Sequence, residues 1–451
     1  MNKFLSLFLC LAVGQICYAL DVVYPKKNNV TVNSPTTFFI GSSENNLTIN
    51  GEKVDVHTSG GFAYFVNLEE GTNDFELKSG DKILKYHIIR PKKNVGKYKA
   101  PEFIEYKTME NLEVTSENSP LRSSPVDAGI NRIAHLQTGV LLTADGEKAG
   151  FYRIKLGQER FGWISKSNVK KITTEIETAK LINYQHTEDK THFIHIFQLD
   201  KKVPFEITEG EKLTLKLFNM KDCDKNTYIF EFPYKQNSET PKLTGYSGYY
   251  IGDNFILKIR KYPKLNKFRP LHNVTIAIDP GHGGKEKGAI GCLGDNEKDI
   301  VLEISKYLKK ELKHLGAHVV MTRKDDTYVG LRDRVDFVNS HNANILISIH
   351  GNALPDTMNP LEHQGTSVFY YYEQAKPLAA NILIQMNEQL GTKNDKVRQE
   401  SFALVRNTDA LSVLIETAYL INPEDNANLI NPEFQKKCAK AIADGIINYL
   451  K

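Results

Sequence analysis

Residues 274–284 read Val-Thr-Ile-Ala-Ile-Asp-Pro-Gly-His-Gly-Gly. The short apolar run predicts a buried strand over 274–278, and the Pro-Gly pair after it predicts a tight turn. Three glycines allow the loop to bend closely around a bound group. Because ligands of open α/β sheets gather where strands end, His282 is the first candidate functional residue.

Strand and helix signals alternate from this stretch to the last residue. Apolar residues recur on one stripe over 298–315, which predicts a helix. Further strands are predicted at 317–321, 345–349, 366–371 and 413–415, and further helices at 378–390 and 433–450, each of the two preceded by a proline. The alternation predicts an α/β domain over residues 270–451, with a central sheet and helices on both of its faces.

The chain upstream predicts three small all-β modules, so the expected fold class is multidomain. Short strands bounded by Gly, Asn and Pro run through residues 20–93, 111–172 and 173–265, and a stretch without periodicity at 94–110 predicts a linker. His192 and His195 stand three residues apart in a predicted strand. They therefore face opposite sides and are interpreted as ordinary strand residues rather than metal ligands.

Two of these modules carry motifs of known β-domains. Leu-Thr-Ile-Asn-Gly at 47–51 resembles a motif of bacterial immunoglobulin-like sandwiches, and Leu-Arg-Ser-Ser-Pro at 121–125 with Gly-Trp-Ile at 162–164 resembles a bacterial Src-homology-3-like barrel. The third module resembles wall-localising β-domains. Trp163 and Tyr152 could form an aromatic shelf for a cell-wall peptide, or both could fill the barrel core.

Composition narrows the class of protein. The chain has 451 residues, of which 41% are hydrophobic and 25% charged, as in an ordinary globular protein of about three domains and unlike a disordered or collagen-like chain. The net charge of +4 is too small to predict a nucleic-acid partner.

Residues 1–19 predict a secretory signal. A lysine precedes an apolar stretch at 4–13, and small residues including Ala19 fit cleavage before Leu20. Later segments fall short of about twenty apolar residues, so no stable membrane anchor is expected. The predicted location is beyond the inner membrane, in the periplasm or cell wall. The cysteines left after cleavage, Cys223, Cys292 and Cys438, allow at most one disulfide.

Three further candidates stand at the ends of predicted elements. His350 follows the strand at 345–349, Glu416 follows the strand at 413–415, and Glu297 stands at the start of the first helix. Taken singly, each histidine is more often structural than a ligand, and Glu297 could simply be a favourable acid in a first helical turn. Together, two histidines and a glutamate supply the three protein ligands of a catalytic zinc site, which leaves one position for water.

Four motifs then occur in a fixed order. They are Asp-Pro-Gly-His-Gly-Gly at 279–284, Asn-Glu-Lys-Asp at 296–299, Ser-Ile-His-Gly-Asn-Ala at 348–353 and Leu-Ile-Glu-Thr at 414–417. Over residues 274–450 the chain resembles the zinc-dependent N-acetylmuramoyl-L-alanine amidases of bacterial envelopes. The resemblance implies one Zn²⁺ per catalytic domain held by His282, Glu297 and His350, with Glu416 as the catalytic carboxylate and peptidoglycan as the partner.

Three more residues are weaker candidates. Asp279 could orient His282, because a metal-bound histidine usually donates its other N–H to an acceptor, or it could cap the Pro-Gly turn. Asn352 and Arg334 could position the glycan or the peptide, although Arg334 could instead close a surface salt bridge. The chain departs from the family pattern after Glu416, where Thr-Ala-Tyr stands in place of the usual x-Gly-Phe.

The leading hypothesis is hydrolysis of the amide between N-acetylmuramic acid and the L-alanine of the stem peptide. The residues alone, without the resemblance, indicate a secreted metal-dependent hydrolase, and a zinc peptidase or deacetylase would fit the ligands equally. The alternative from another class is a wall-binding or structural envelope protein with a weak or inactive hydrolase domain. Whether a protein activator is needed stays open.

Overall fold

The structure is a computed structural model that describes residues 20–44, 46–92, 100–158, 160–234 and 243–451. The signal sequence predicted over 1–19 and residues 94–99 of the predicted linker lie outside the described residues. Among the described helices, none is long and apolar enough to cross a membrane.

The N-terminal region is a sandwich of two β-sheets. Its strands are β1 (Asp21–Tyr24), β2 (Asn29–Thr31), β3 (Thr36–Ser42), β4 (Thr48–Ile49), β5 (Glu52–Lys53), β6 (Gly61–Asn67), β7 (Gly71–Ser79) and β8 (Lys82–Arg90). One sheet has the order β1-β3-β6 and the other the order β2-β8-β7-β4-β5. Phe39 and Phe62 of the first sheet pack on Leu77 and Ile88 of the second, which closes the core of what we call the N-terminal sandwich.

A second group of strands forms one seven-stranded sheet. Its strands are β9 (Ile104–Val114), β10 (Ser119–Arg122), β11 (Arg132–Leu136), β12 (Leu141–Lys148), β13 (Phe151–Leu156), β14 (Arg160–Ser165) and β15 (Val169–Lys171), in the order β11-β10-β14-β13-β12-β9-β15. Strand β9 begins inside the stretch predicted as a linker, so the linker prediction is wrong from residue 104 onward. That segment is ordered by pairing with β12, a partner about forty residues away that no local periodicity reveals.

The predicted aromatic shelf of Tyr152 and Trp163 does not form. Tyr152 lies opposite Ile164 and Trp163 lies opposite Arg153 on the paired strands β13 and β14. Since residues directly opposite each other share a face, Tyr152 and Trp163 point to opposite sides of the sheet. Tyr152 is buried in the core, which is the other role that the sequence allowed.

The third β region contains two sheets. Its strands are β16 (Leu181–Glu188), β17 (His192–Leu199), β18 (Phe205–Thr208), β19 (Lys212–Phe218), β20 (Thr227–Pro233), β21 (Tyr246–Ile251) and β22 (Asn254–Arg260), in the orders β16-β17-β22-β21 and β18-β19-β20. Residues such as Phe197 and Leu215 belong to the same hydrophobic cluster as Leu142 and Ile154 of the second sheet. The two regions therefore pack against each other and share a core.

The C-terminal region is α/β, as predicted. Its elements are β23 (Thr275–Pro280), α1 (Glu297–His314), β24 (His318–Met321), α2 (Leu331–Ser340), β25 (Ile345–Asn352), β26 (Thr366–Tyr370), α3 (Lys376–Leu390), β27 (Asn394–Gln399), β28 (Leu411–Tyr419), α4 (Pro423–Leu429) and α5 (Pro432–Leu450). The sheet order is β24-β23-β25-β28-β26-β27, and β26 runs antiparallel to β28.

Alternate residues of each central strand enter different cores. Ile276 and Ile278 of β23 pack with α1, α3 and α5, whereas Ala277 between them packs with Val338 of α2 on the other face. Helices thus cover both faces, and the carboxyl ends of β23, β25 and β28 open on one common edge. This edge carries the candidate functional residues.

A buried ion-pair cluster joins the third β region to the C-terminal region. Asp409 accepts hydrogen bonds from Arg260 and pairs with Nε2 of His192 at 2.9 Å. Burial raises the pKa of Asp409, but the hydrogen bond from His192 and the charge of Arg260 outweigh it and hold that pKa below its usual value. His192 lies in strand β17, as predicted, and it is also an interface residue through its contact with Asp409.

Replacing Asp409 by alanine should destabilise the protein strongly. The substitution leaves Arg260 buried without its partner, which should lower the free energy of unfolding by about 3–5 kcal/mol in urea denaturation. Because the pKa of Asp409 is lowered on folding, its contribution is present above the ordinary carboxyl pKa and should be lost as the pH falls through the lowered value. Glu303→Ala, which breaks only the exposed pair with Lys306, should change stability by less than about 0.5 kcal/mol. Equal effects of the two variants would contradict this account.

Candidate metal centre

The edge of the sheet brings three ligand-type side chains together. One donor atom from each of His282, Glu297 and His350 lies within 4.8 Å of the others. His282 comes from the loop after β23, Glu297 from the first turn of α1 and His350 from the end of β25. We call this set the triad.

Glu297 lies at the centre of the triad. Its Oε1 lies 3.1 Å from Nε2 of His282 and 2.9 Å from Nδ1 of His350, while its Oε2 accepts the amide hydrogen of Ala289 at 2.8 Å. Burial favours a raised pKa, but the hydrogen bonds of the two imidazoles outweigh it and hold the pKa of Glu297 well below its usual range. The carboxylate is thus kept ionised in a buried place.

Glycines leave the space that the triad needs. A Cβ on Gly281 would lie 2.2 Å from Cε1 of the His350 ring, and a Cβ on Gly288 would lie 2.3 Å from Oε2 of Glu297. Such distances are far below contact, so any larger residue at either position must displace a member of the triad. His282 itself has a φ of +58°, in the left-handed region that non-glycine residues rarely adopt.

Two buried arginines hold the loop in this conformation. Arg334 donates to the carbonyl oxygens of Pro280 and His282 at 2.8 and 2.6 Å. Arg323 donates to the carbonyl oxygens of Pro280 and Gly281 at 3.0 and 2.7 Å. The backbone around His282 is therefore held in place by hydrogen bonds from two guanidinium groups.

The weaker candidates Asp279 and Arg334 have roles that the sequence did not predict. They form a buried ion pair at 2.7 Å, and Arg334 is only 2% exposed. The salt bridge of Arg334 is therefore buried and not on the surface, and its predicted role in positioning a substrate stays a prediction. The other hydrogen bonds to the Asp279 carboxylate come from the hydroxyls of Thr322 and Ser348, so it acts on His282 through Arg334 and not on the imidazole.

Glu416 lies beside the triad. It is directly opposite His350 in the register of β25 and β28. Its Oε2 atom is closed off from solvent and has no hydrogen-bond partner among the described residues. Burial raises the pKa of Glu416 to about 7, with the nearby His350 lowering it and Glu297 raising it. A buried carboxylate oxygen without a partner indicates a place for a ligand or a water molecule.

Asn352 ends strand β25 and is partly buried. Its carbonyl oxygen accepts the amide hydrogen of Leu420 at 2.9 Å, and its predicted role in positioning a substrate stays a prediction. Arg323 was missed as a functional residue by sequence reasoning. Its place just after strand β24 gives no sign in the sequence of the burial that the structure shows.

The donor set fits a catalytic metal. Two imidazole nitrogens and one carboxylate oxygen are the ligands that zinc takes in hydrolytic sites with an open fourth position. The backbone amide of Gly351 also donates to Oε1 of Glu297 at 3.1 Å, and such outer contacts orient ligating carboxylates in metal sites. The triad could therefore hold Zn²⁺.

Comparison with known proteins shows which family the C-terminal region resembles. The family profile described as N-acetylmuramoyl-L-alanine amidase matches residues 276–448. N-acetylmuramoyl-L-alanine amidase LytC of Bacillus subtilis is 36% identical over 186 residues, which cover 40% of this chain and 36% of LytC. The protein YqiI of the same species is 34% identical over 191 residues, which cover 42% of this chain and 90% of YqiI.

A solved structure gives a similar coverage. The amidase AmiC2 of Nostoc punctiforme is 36% identical, with a TM-score of 0.38, and the match covers 39% of this chain and 97% of AmiC2. The family profile matches within the C-terminal region, and the chain matches about a third of the length of LytC.

Gly281→Ala should weaken zinc binding while the protein stays folded. The new methyl group must push the His350 ring out of the triad, which we expect to lower zinc affinity about 10- to 100-fold. Competition with a chromophoric chelator measures the affinity. Gly210→Ala is the matched control, because its nearest neighbour atom would lie at 3.3 Å in an exposed turn far from the triad. Unchanged zinc affinity in Gly281→Ala would contradict the geometry.

Proposed function

Because the chain belongs to the N-acetylmuramoyl-L-alanine amidase family through residues 276–448, we propose that it is a secreted peptidoglycan hydrolase. It cleaves the amide that joins N-acetylmuramic acid to the L-alanine of the stem peptide. The observation that carries the proposal is that the triad lies beside Glu416, whose buried Oε2 has no hydrogen-bond partner among the described residues.

His282, Glu297 and His350 are the proposed zinc ligands. When bound at such a site, Zn²⁺ lowers the pKa of water toward about 7 and polarises a substrate carbonyl. The hydrogen bonds from the amides of Ala289 and Gly351 keep the Glu297 carboxylate in its orientation. The Asp279–Arg334 pair keeps the loop of His282 in place.

Glu416 is the proposed general base and acid. Its Oε2 receives a proton from the attacking water and passes that proton to the departing amine of alanine. The role requires a carboxylate beside the metal ligands that is not itself one of them, and Glu416 lies next to His350 on the neighbouring strand. A pKa of about 7 suits a group that must both take up and release a proton near neutral pH.

The upstream β-sheets are proposed to hold the enzyme on the wall. Attachment to an insoluble substrate raises the effective substrate concentration at the active site. The assignment of an immunoglobulin-like and a Src-homology-3-like module, of the domain boundaries and of a secretory signal at residues 1–19 remains a set of sequence predictions.

Other functions would use the same donor set. A zinc peptidase would cut within the stem peptide and a deacetylase would release acetate, and both need two histidines, a carboxylate and a nearby base. A wall-binding protein with an inactive domain would need none of the four residues in working geometry. The matching family profile supports the amidase.

Glu416→Gln should abolish most of the peptide release. The amide cannot take up the proton at Oε2, so we expect kcat to fall about 10²- to 10⁴-fold. The assay incubates purified peptidoglycan with the protein and detects new N-terminal alanine. Glu400→Gln, on an exposed residue, is the control and should keep wild-type activity. Release of acetate would instead support a deacetylase, and a new N-terminal residue other than alanine would support a peptidase.

Zinc removal should abolish the same activity reversibly. Dialysis against a chelator should stop the release of alanine termini, and added Zn²⁺ should restore it, because the triad supplies the ligands of the metal. Full activity after chelation, with metal absence verified by atomic absorption, would refute the metal-dependent mechanism.

A further inference from the structure

A groove of about 390 Å³ lies between the N-terminal sandwich and the C-terminal region. Residues of the sandwich form one wall and two loops of the C-terminal region form the other. The lining residues from the sandwich are Val23, Tyr24, Lys26, Phe38 and Ile40, and those from the C-terminal region include Ala289, Ile290, Ala353, Leu354 and Asp356. We call this space the interdomain groove.

Asp356 anchors the sandwich wall in position. Its Oδ1 accepts hydrogen bonds from the hydroxyls of Tyr24 at 2.8 Å and Thr37 at 2.7 Å, and its backbone oxygen accepts one from Thr36 at 2.8 Å. Three hydroxyls of the sandwich thus meet one residue of the loop that follows β25. The contact is specific, because each of these hydrogen bonds requires a defined direction between the hydroxyl and its acceptor oxygen.

An apolar contact beside the groove closes the interface. Phe38, Ile40 and Ala63 of the sandwich are buried together with Cys292 and Ile421. A Cβ on Gly61 of β6 would lie 3.3 Å from Cβ of Cys292, so the two surfaces approach closely. Separating them would expose this apolar cluster to water, which is unfavourable in proportion to its area.

The interdomain groove lies close to the triad, because two of its lining residues belong to loops that border the triad. Ala289, which lines the groove, donates its amide hydrogen to Oε2 of Glu297. Ala353, on the other loop of the same wall, follows His350 by three residues along the chain. These two loops border both the triad and the groove, so a substrate whose scissile amide lies at the triad has the groove close beside it.

The groove suits a partly apolar occupant with an anionic group beside Lys26, because Asp356, its other charged lining residue, bonds to two hydroxyls of the sandwich. Its lining is mostly aliphatic and aromatic. Lys26 is exposed at the groove and makes no ion pair with any residue in the described part of the chain. The hydroxyl of Tyr24 and the carboxylate of Asp356 already bond to each other, so these polar groups are engaged and do not serve the many hydroxyls of a sugar.

We propose that the N-terminal sandwich supplies one wall of the substrate site, where the stem peptide lies in the interdomain groove and Lys26 binds a peptide carboxylate. The proposal rests on the amidase function above. It assigns the sandwich a part in substrate selection at the active site, in addition to any attachment to the wall. The short side chains of the peptide pack on the aliphatic lining, and Lys26 selects peptides that carry a free carboxylate.

Charge reversal at Lys26 tests the pairing. Lys26→Glu should raise the KM for a soluble N-acetylmuramoyl peptide about 5- to 10-fold, with kcat nearly unchanged, because an attraction at the groove becomes a repulsion. Lys27→Glu is the matched control, since Lys27 is the exposed neighbour and does not line the groove. When the peptide carboxylates are amidated, the difference between Lys26→Glu and the wild type should vanish.

Filling the groove tests the occupant without changing charge. Leu354→Trp should raise the KM for the same substrate, because the indole occupies volume that the peptide needs. Leu361→Trp in the same loop is the control, because Leu361 is exposed and lies outside the groove. Thermal unfolding of both variants checks that the fold is kept.

A binding measurement separates this proposal from the proposed function. Calorimetry with Glu416→Gln protein, alone and combined with Lys26→Glu or Lys27→Glu, measures the affinity for the muramoyl peptide, the free stem peptide and the peptide-free disaccharide. We expect the two peptide ligands to lose affinity only with Lys26→Glu. If the wild type releases no alanine termini while this pattern holds, the amidase function fails and the groove assignment stands. If the variants bind peptide equally, or if only the disaccharide loses affinity, the stem peptide is not the occupant and the proposal is overturned.

Discussion

The buried ion pair of Asp279 and Arg334 connects the sheet to the functional edge. Asp279 stands at the end of the central strand β23, and Arg334 comes from helix α2 on the face opposite α1, α3 and α5. The guanidinium neutralises the buried carboxylate and also holds the carbonyl oxygen of His282. Burying the Asp279 carboxylate alone would be unfavourable. Paired with Arg334, it instead helps to hold His282 in its left-handed backbone conformation. The orientation of His282, and with it the geometry of the triad, depends on this pair.

Glu297 carries the next level of organisation. As the first residue of α1 it occupies a place where a carboxylate interacts favourably with the helix dipole. It also accepts hydrogen bonds from the backbone amides of Ala289, in the loop before α1, and of Gly351, near the end of strand β25. The same residue therefore joins the helix, a loop, a strand and two imidazoles. Both interpretations of Glu297 from the sequence, a favourable acid in a first helical turn and a metal ligand, are therefore compatible in the same side chain.

Most of the C-terminal fold was predictable because its signals are local, whereas the choice of Glu297 rather than Glu416 as the third member of the triad came from the family resemblance. Apolar runs marked β23 and β25, and glycine-rich motifs marked the loops. The short helix α2 was not predicted, since among its residues only Arg334 and Val338 are buried and it shows little apolar periodicity. The edge strand β27 was also missed, because its residues are polar and mostly exposed. The burial of Arg334 could not be predicted from the sequence, because its partner Asp279 lies 55 residues earlier in the chain. An arginine on a polar helix is normally exposed to solvent.

The contacts between the sheets and the C-terminal region bear on how such a chain can evolve. The Arg260–Asp409 cluster and the apolar contact of Phe38 with Cys292 and Ile421 are shared surfaces. A recombination event that exchanged only the catalytic region would leave a buried arginine without its acid on one side and an uncovered apolar patch on the other. Successful exchange requires compensating substitutions on both partners. The β-regions and the hydrolase region of this chain are therefore expected to co-vary and to be inherited together, unlike freely interchangeable modules on flexible tethers.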